Sequence, residues 1–463
     1  MNIDVLVAEI GSTTTVVNAF GGLHGQQPAF LGQGQGVTTA LQGDVRVGLR
    51  EAMADLQQKL GLETLEYEEF LATSSAAGGL RMTVHGLVLD MTVKASREAA
   101  LGAGAVIKLV TAGRLKASDL KKIERIRPNM IMIAGGLDYG ERETALENAE
   151  KIRSLELPLP VIYAGNVENQ EEIREIFSGS PMELYVTDNV YPRVDVLQVE
   201  PARKIIQAVF EKHIVHAQGM EHVYDLVSGS VMPTPGAVME SAKILKEVLG
   251  DVLILDVGGA TTDVHSVTAG SEEINRILLA PEPEAKRTVE GDLGIYVNRM
   301  NLAERIGEET LRKELGLGFG EVEELPPVPQ KPEEIALALR LTEEAVKTSL
   351  ERHAGNLRNL YGESAGRKRV AEGKDLTEVK FIIGTGGALT RLPGAAYILE
   401  KIQTMGRGER LYPQKEAKVL LDRNYLLASL GVLSRHYPEA AKRLMLESIG
   451  LWNEEGVDHV SLD

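Results

Sequence analysis

One pattern of residues occurs twice in this chain, in residues 5–20 (VLVAEIGSTTTVVNAF) and 252–267 (VLILDVGGATTDVHSV), and the two copies align without a gap. Each copy is an apolar run that ends in an acidic residue and one aliphatic residue. A turn of small residues and a second β-rich run follow. This pattern predicts a tight hairpin whose first strand is buried and ends beside a carboxylate. The repetition predicts two similar domains, each containing one hairpin.

The turns of the two hairpins are suited to binding phosphate. A turn of Gly, Ser and Thr exposes backbone N–H groups and hydroxyls, which bind phosphate oxygens. The carboxylates of Glu9 and Asp256 stand beside the turns, and a phosphate-bound Mg²⁺ takes such hard oxygen ligands. One hairpin alone is more often a plain β-turn, but a facing pair would hold a nucleotide between two domains. The predicted phosphate-binding residues are Gly11, Ser12, Thr13, Thr14, Gly258, Gly259, Ala260, Thr261 and Thr262.

A third glycine-dense turn follows an apolar run at residues 379–393 (VKFIIGTGGALTRLP). Glycines in such a turn let the backbone pass close to a flat ligand, because they carry no Cβ. We expect this turn to contact the same nucleotide, through Gly384, Thr385, Gly386, Gly387 and Ala388.

Composition excludes several other classes of site. The chain has 463 residues and no cysteine, which rules out disulfides, thiolate catalysis and iron–sulfur clusters. A formal charge of −17 argues against binding to nucleic acid or to an anionic membrane surface. There is no GxxxxGK[ST] sequence. There is also no apolar run of about 18 residues, and the first residues lack the features of a signal peptide. We therefore expect a cytoplasmic protein, and a homo-oligomer is left open.

The spacing of apolar segments predicts four parts. Residues 1–95 form the first half of domain I, with strands near 70–73 and 82–89. Residues 96–190 alternate helix and strand, which predicts an inserted parallel, Rossmann-like α/β subdomain. Residues 191–250 complete domain I and include a connecting helix. Residues 251–463 form domain II, with a charged helical insertion at about 295–375 that contains an exposed proline-rich connection at 325–332.

These elements resemble, in their order, the nucleotide site of the actin, Hsp70 and sugar-kinase superfamily. Residues 9–14 and 256–262 are similar to its two phosphate loops, and residues 386–393 to its adenosine loop. Residues 233–238 and 428–431 resemble its two connecting helices. The resemblance implies an α/β fold with two actin-like ATPase (ribonuclease H-like) domains. It also implies catalytic and metal-binding roles for Asp256 and Glu9, although the first loop of the superfamily usually opens with Asp where this chain has Glu9.

At a finer level the chain resembles the accessory-protein family of glutamate mutase, called MutL or GlmL. The segments that carry this resemblance span almost the whole chain: 74–82, 188–193, 200–203, 233–239, 256–266 and 287–294. Membership implies an ATP-binding, reactivating partner of an adenosylcobalamin-dependent carbon-skeleton mutase or aminomutase. The favoured interpretation is an ATPase that couples hydrolysis to domain closure, and whether ATP is hydrolysed or only bound is left open.

Parts of the sequence are also compatible with other functions. An ATP-dependent amidohydrolase of the hydantoinase and oxoprolinase type has a loop similar to residues 256–263, which makes it the main alternative. A small-molecule kinase would need a general base, and no acid or histidine near the motifs is marked out for that role. A protein that keeps the fold without using a nucleotide is a further alternative. Activators of hydroxyacyl-CoA dehydratases are excluded, because their iron–sulfur cluster needs cysteines.

Overall fold

The computed structural model describes residues 2–25, 27–75, 80–213, 219–362, 366–405, 408–453 and 456–457. Residues 76–79, part of the family segment 74–82, therefore lie outside the described residues. The strands, in chain order, are β1 (Ile3–Ile10), β2 (Thr14–Gly21), β3 (Ala29–Val37), β4 (Tyr67–Ser74), β5 (Leu80–Gly86), β6 (Ala105–Ala112), β7 (Met130–Ile133), β8 (Pro160–Tyr163), β9 (Glu183–Val186), β10 (Val231–Pro233), β11 (Val252–Val257), β12 (Thr262–Val267), β13 (Ala285–Glu290), β14 (Asn356–Gly362), β15 (Gly366–Glu372), β16 (Phe381–Thr385), β17 (Lys418–Leu421), β18 (Trp452–Asn453) and β19 (Gly456–Val457).

The helices are α1 (Val45–Leu60), α2 (Lys94–Gly102), α3 (Ala117–Ile126), α4 (Glu143–Arg153), α5 (Gln170–Phe177), α6 (Glu200–His213), α7 (Thr234–Leu249), α8 (Glu272–Asn275), α9 (Arg299–Ile306), α10 (Glu308–Leu315), α11 (Phe319–Glu323), α12 (Pro332–His353), α13 (Gly387–Thr390), α14 (Ala396–Thr404), α15 (Leu427–Leu433) and α16 (Pro438–Ser448). Among the described residues, no helix combines the length and the apolar character that crossing a membrane requires.

The two predicted hairpins lie in two five-stranded sheets with the same arrangement. The first sheet has the order β10-β4-β1-β2-β3, with parallel pairs on one side of β1 and antiparallel pairs on the other. The second sheet repeats this around β11, as β17-β16-β11-β12-β13. The register repeats as well: Glu9 lies opposite Val16, and Asp256 lies opposite Asp263. The predicted fold, two ribonuclease H-like domains of the actin-like type, is confirmed.

The central strand of each domain is buried on both faces. Every residue of β1 is buried, because α1 packs against the β2–β3 side of one face while α15 covers β1 and β4. A strand covered on both faces needs a nearly continuous apolar sequence, and β1 (IDVLVAEI) has one apart from its two acids. The acid near the end of β1, Glu9, is therefore held where the rigid sheet meets the hairpin turn.

The two connecting helices cross between the domains. α7 follows β10 of the first sheet but packs on β11 and β12 of the second, whereas α15 follows β17 of the second sheet but packs on the first. The two helices also pack on each other, so closely that a Cβ added to Gly431 would lie 1.9 Å from the carbonyl oxygen of Ala237. Apolar residues of both sheets and both helices form one continuous core between the domains.

A third sheet lies between β4 and β10 in the sequence. Its order is β6-β5-β7-β8-β9, and all its neighbouring strands are parallel. Helices α3, α4 and α5 connect its strands in the way parallel pairing requires. The alternation of helix and strand predicted for this part of the chain is present, since strands β6 to β9 alternate with helices α3, α4 and α5. This unit is referred to below as the insert.

The insert begins earlier than the sequence analysis predicted. Residues 82–89 were expected to complete the first domain, with the insert starting at residue 96, but β5 (Leu80–Gly86) lies inside the parallel sheet between β6 and β7. The sequence prediction was wrong here for a physical reason. The connection from β4 to β5 is only as long as the usual link between neighbouring elements, so no local signal shows that β5 pairs elsewhere.

The predicted helical insertion at 295–375 is helical only in its first part. Helices α9 to α12 cover residues 299–353 and form the core that packs under the second sheet. The remainder contains the antiparallel pair β14 and β15, in which Gly362 lies opposite Gly366. The sequence of this segment is rich in charged residues, so it does not show the alternation of apolar and polar residues by which a pair of strands is predicted.

Candidate functional site

The two hairpin turns face each other across one cleft between the domains. In both turns the same hydrogen bond closes the backbone: the Gly11 N–H donates to the Thr14 carbonyl at 3.0 Å, and the Gly258 N–H donates to the Thr261 carbonyl at 3.0 Å. A Cβ added to Gly259 would lie 3.9 Å from the Thr13 hydroxyl oxygen. The turns are therefore near neighbours in space although they are far apart in the sequence.

The cleft has a volume of about 240 Å³. Most of the residues predicted to bind the nucleotide or its metal line this cleft: Glu9, Gly11, Ser12, Thr13, Thr14, Asp256, Gly258, Gly259, Ala260, Thr261, Gly387 and Ala388. The structure thus brings all three predicted loops to one place. Their contact with a nucleotide stays a prediction.

Four other predicted residues lie behind the lining. The Thr262 hydroxyl donates to the Leu293 carbonyl at 2.8 Å, and the Thr385 hydroxyl donates to Asp422 at 2.8 Å. Gly384 is buried in β16, where a Cβ would lie 2.6 Å from a Leu399 methyl. Gly386 has φ of 83°, and a Cβ there would lie 2.4 Å from an Asp256 carboxylate oxygen. These positions hold the loops in shape around the cleft.

Glu9 is held in place from the second domain. The Tyr425 hydroxyl donates a hydrogen bond to Glu9 Oε1, while Glu9 Oε2 is buried without a partner among the described residues. Burial raises the pKa of the Glu9 carboxyl to about 7, against the opposing effect of the Tyr425 hydrogen bond and with a further rise from the charge of Asp422. One oxygen of Glu9 is therefore positioned and the other is available.

Asp256 lies in a concentration of negative charge. Removal from water raises the pKa of the Asp256 carboxyl well above its usual range, and the charges of Asp263 and Glu9 raise it further. Asp263 and Glu9 are therefore near enough to Asp256 for their charges to act on it. Such an arrangement is favourable only when a cation or protons offset the repulsion.

Asp263 is paired with a buried arginine. Arg287 donates to Asp263 Oδ1 from Nε at 2.9 Å and from Nη2 at 2.6 Å. The side chains are 1% and 6% exposed, respectively. Arg287 Nη1 also donates to the carbonyls of Leu101 and Ala105, at the end of α2 and the start of β6. One guanidinium therefore connects β12, which follows the second hairpin turn, to the insert.

The lining of the cleft also includes aromatic and proline side chains. These are Tyr296, Tyr425 and the segment 327–329. Arg391 crosses from the second domain to the first, donating to Gln35 at 2.7 Å and to Gln33 at 2.6 Å. Its guanidinium lies 5.6 Å from the centroid of the Tyr425 ring. Aromatic rings and a guanidinium are groups on which a flat, polar ring can stack.

Comparison with known proteins identifies the family. The sequence model of the family described as MutL protein matches residues 5–449. Protein MutL of Clostridium tetanomorphum is 35% identical over 457 residues, which cover 95% of this chain and 98% of that protein. The chain belongs to the MutL family.

Solved structures similar to this MutL-family chain are remote in sequence. The nucleotide-free acetone carboxylase structure is 14% identical, covers 94% of this chain and 70% of that chain, and has a TM-score of 0.41. The nucleotide-free diol dehydratase-reactivating factor is 12% identical, covers 95% of this chain and 100% of that chain, and has a TM-score of 0.37.

Several residues that line the cleft of the MutL-family chain were not predicted as site residues. Asp263 falls within the second copy of the repeat, where the first copy has Val16, so the difference between the copies was a usable signal. Arg391 lies within the glycine-rich segment, but its reach to β3 depends on how the domains meet. Tyr425 has no local signal, since its bond to Glu9 joins positions 416 residues apart. The proline-rich connection is exposed, as predicted, and also lines the cleft.

The carboxylates of the MutL-family chain fit a magnesium ion that is bound mainly by phosphate and water. In the part of the chain that the structure describes, no three His, Asp or Glu side chains come together closely enough to hold an ion themselves. Mg²⁺ in nucleotide sites uses one or two carboxylates, and phosphates and waters complete its shell. The unpartnered Oε2 of Glu9 and the raised pKa of Asp256 suit this role.

The raised pKa of Glu9 predicts a pH-dependent effect of Glu9→Gln on the metal-free, nucleotide-free protein. In the unfolded chain Glu9 ionises near pH 4.5, but in the folded chain near pH 7. Between these values the folded state holds the extra proton, so the free energy of unfolding falls as pH rises. Above pH 7, the difference between the two pKa values corresponds to a loss of about 3 kcal/mol from the free energy of unfolding. Glu9→Gln has no carboxyl to ionise at this position, so its free energy of unfolding does not fall in this way.

We therefore expect Glu9→Gln to gain up to about 3 kcal/mol relative to wild type between pH 4.5 and pH 8. Chemical denaturation at several pH values, with a chelator present, measures this difference. Asp4→Asn is the matched control, because Asp4 is buried and hydrogen-bonded but lies outside the cleft. A difference between Glu9→Gln and wild type that does not change with pH would contradict the expected shift.

Proposed function

We propose that this MutL-family protein is an accessory ATPase that binds Mg-ATP between its two domains and reactivates an adenosylcobalamin-dependent mutase of the glutamate mutase or aminomutase type. The observation that carries the proposal is the convergence of both repeated turns and the third glycine-rich loop on one interdomain cleft. The family resemblance supports the partner, since the MutL or GlmL type accompanies glutamate mutase. The amidohydrolase alternative is not favoured, because the family match covers residues 5–449.

In this proposal the two turns bind the phosphates. Backbone N–H groups and hydroxyls of residues 11–14 and 258–261 surround the position between the loops. Glu9 and Asp256 would hold Mg²⁺ through its water shell, and the ion would offset the phosphate charge. Tyr425 keeps Glu9 oriented, and Arg287 keeps Asp263 fixed beside the second loop. Gly387, Ala388, Arg391 and Tyr425 form the position for the nucleoside.

In this proposal the protein alternates between a state with an open cleft and a state with a closed cleft, and ATP acts as the switch between them. Its volume of about 240 Å³ is below the roughly 300–1,000 Å³ of most small-molecule sites, so we infer that the domains part to admit ATP. The contacts of Arg391 with Gln33 and Gln35 would break in that motion. A nucleotide that touches both turns favours the closed state over the open one, and this difference in affinity shifts the population of the two states.

The switch predicts that ATP changes affinity for the mutase. A typical coupling of about 1–3 kcal/mol changes the affinity roughly 5- to 150-fold, and by linkage the mutase changes the affinity for ATP by the same factor. Binding to glutamate mutase should be measured by surface plasmon resonance with ATP, with ADP and without nucleotide. Capture from a cytoplasmic extract under the same three conditions would identify a different mutase partner.

A matched pair of variants tests the role of the cleft. Gly259→Leu places a side chain towards Thr13 across the cleft, where a Cβ meets no clash, and it should abolish the effect of nucleotide on mutase binding. Gly320→Leu, at a position with open space around it, should leave the effect intact. Equal affinities for the mutase in all three nucleotide states of the wild-type protein would refute the switch.

A further inference from the structure

A second cavity adjoins the cleft at the two hairpin turns. Its volume is about 830 Å³, and it shares with the cleft six lining residues, Ser12, Ser75, Pro235, Ala260, Thr261 and Asp263. Most of the remaining lining comes from α2 and β6 on one side and from β13 and the following residues of the second domain on the other. This cavity between the insert and the second domain is referred to below as the insert chamber.

The insert chamber carries positive charge in an acidic protein. The chain as a whole has a formal charge of −17, but the chamber lining contains Arg97, Lys108, Arg287 and Arg352 against Asp263 and Glu290. Two of the four cations are compensated: Arg287 pairs with Asp263, and Arg352 pairs with Glu290 and Asp292. Arg97 and Lys108 form no ion pair or side-chain hydrogen bond with the residues that the structure describes.

The backbone directs Lys108 into the insert chamber. β6 is an edge strand of the insert and pairs only with β5. Within that pair Met82 lies opposite Ile107 and Thr83 opposite Leu109, so Lys108 is the extra residue of a β-bulge. A bulge redirects the side chain at its position and is frequent at sheet edges and next to binding sites. The exposed Arg97 on α2 lines the same chamber.

The remaining lining indicates the kind of ligand. Leu101, Val106, Ile107 and Val289 supply an apolar wall, and Ser12, Ser75, Thr288 and Asn298 supply polar groups. A volume of about 830 Å³ lies within the roughly 300–1,000 Å³ of small-molecule sites. Apolar walls with a few convergent charged groups are typical of sites for small organic molecules.

We propose that the insert chamber is a second ligand site, which binds a small organic dianion, either a dicarboxylate or a phosphate ester, through Arg97 and Lys108. The ligand would touch the insert and the second domain at once, beside the Asp263–Arg287 pair that connects them. This second site goes beyond the proposed function, because ligand binding in the insert chamber requires neither ATP hydrolysis nor a mutase.

Isothermal titration calorimetry with defined probes tests the chamber. Succinate serves as the dicarboxylate, glycerol 3-phosphate as the phosphate ester, and succinamide as the neutral control. Each is titrated into the full-length protein, first alone and then with the cleft filled by Mg²⁺ and a non-hydrolysable ATP analogue. We expect at least one of the two dianions to bind under both conditions and succinamide not to bind. Which dianion binds identifies carboxylate or phosphate as the preferred group.

The double variant Arg97→Gln, Lys108→Gln should weaken dianion binding about 10-fold or more, as expected for the loss of charge-assisted hydrogen bonds. The matched control Arg50→Gln, Lys121→Gln changes two exposed cations outside the chamber and should bind as wild type does. Affinity for the ATP analogue is measured on every variant and should not change.

Three results would overturn the proposal. The first is that neither dianion binds to the wild-type protein at millimolar concentration. The second is that the double variant binds the dianion as tightly as wild type, which would place the ligand elsewhere. The third is that the double variant loses the dianion and the ATP analogue together, which would assign the dianion to the nucleotide cleft.

Discussion

Asp256→Asn is expected to lower ATP hydrolysis by about 10²–10³-fold, the usual cost of removing one preorganised electrostatic group from a reaction site. Asp256 stands at the second hairpin turn, where burial raises its pKa and the nearby charges of Asp263 and Glu9 raise it further. A cation bound with the phosphates would stabilise its ionised form. Asparagine has nearly the same shape but no charge, so the variant separates charge from packing.

Glu9→Gln is expected to lower hydrolysis less than Asp256→Asn. One oxygen of Glu9 is already engaged by Tyr425, and glutamine can accept the same hydrogen bond. Steady-state hydrolysis with Mg²⁺ and calorimetric ATP binding should be measured on both variants, with Asp4→Asn as the control for a buried acid outside the cleft. Equal losses, or a larger loss at Glu9, would reverse the assignment of the two carboxylates.

Arg287→Met is expected to destabilise the protein by about 3–5 kcal/mol, the typical cost of breaking a buried ion pair by removing one partner. Asp263 would remain buried without its countercharge, and the carbonyls of Leu101 and Ala105 would lose a donor. The cost should fall when Asp263→Asn is added, because the uncompensated charge is then removed. The loss of the two carbonyl contacts would remain in the double variant.

Arg352→Met provides the matched comparison. Arg352 also pairs with two carboxylates, but its side chain is 35% exposed against 1% for Arg287. Exposed ion pairs contribute about 0–1 kcal/mol. Shifts of the urea unfolding midpoint should therefore be large for Arg287→Met and small for Arg352→Met. Similar shifts would show that burial does not set the strength of the Arg287 pair.

The repeated hairpin made much of the fold predictable from the sequence. Alternation and turn residues are local properties, so they predicted the two hairpins, in which the structure places Glu9 opposite Val16 and Asp256 opposite Asp263. The same local information predicted three loops that do line one cleft.

The features that the sequence did not predict depend on distant pairing. The partner of β4 on its outer side is β10, a three-residue strand that comes after the whole insert. β5 follows β4 closely in sequence but pairs in another sheet. Tyr425 reaches Glu9 only because α15 returns to the first domain. In each case the pairing is decided by packing between segments far apart in the chain, for which short-range patterns contain no signal.

The crossing of the two connecting helices has a consequence for synthesis on the ribosome. The first sheet is complete only when residues 231–233 have added its outer strand and α15 has covered its inner face. A nascent chain that has emerged only as far as residue 250 still presents the apolar side chains of Val5, Val7 and Leu71, which belong to the shared core. Neither half is therefore finished before the other, and the two domains mature together late in translation.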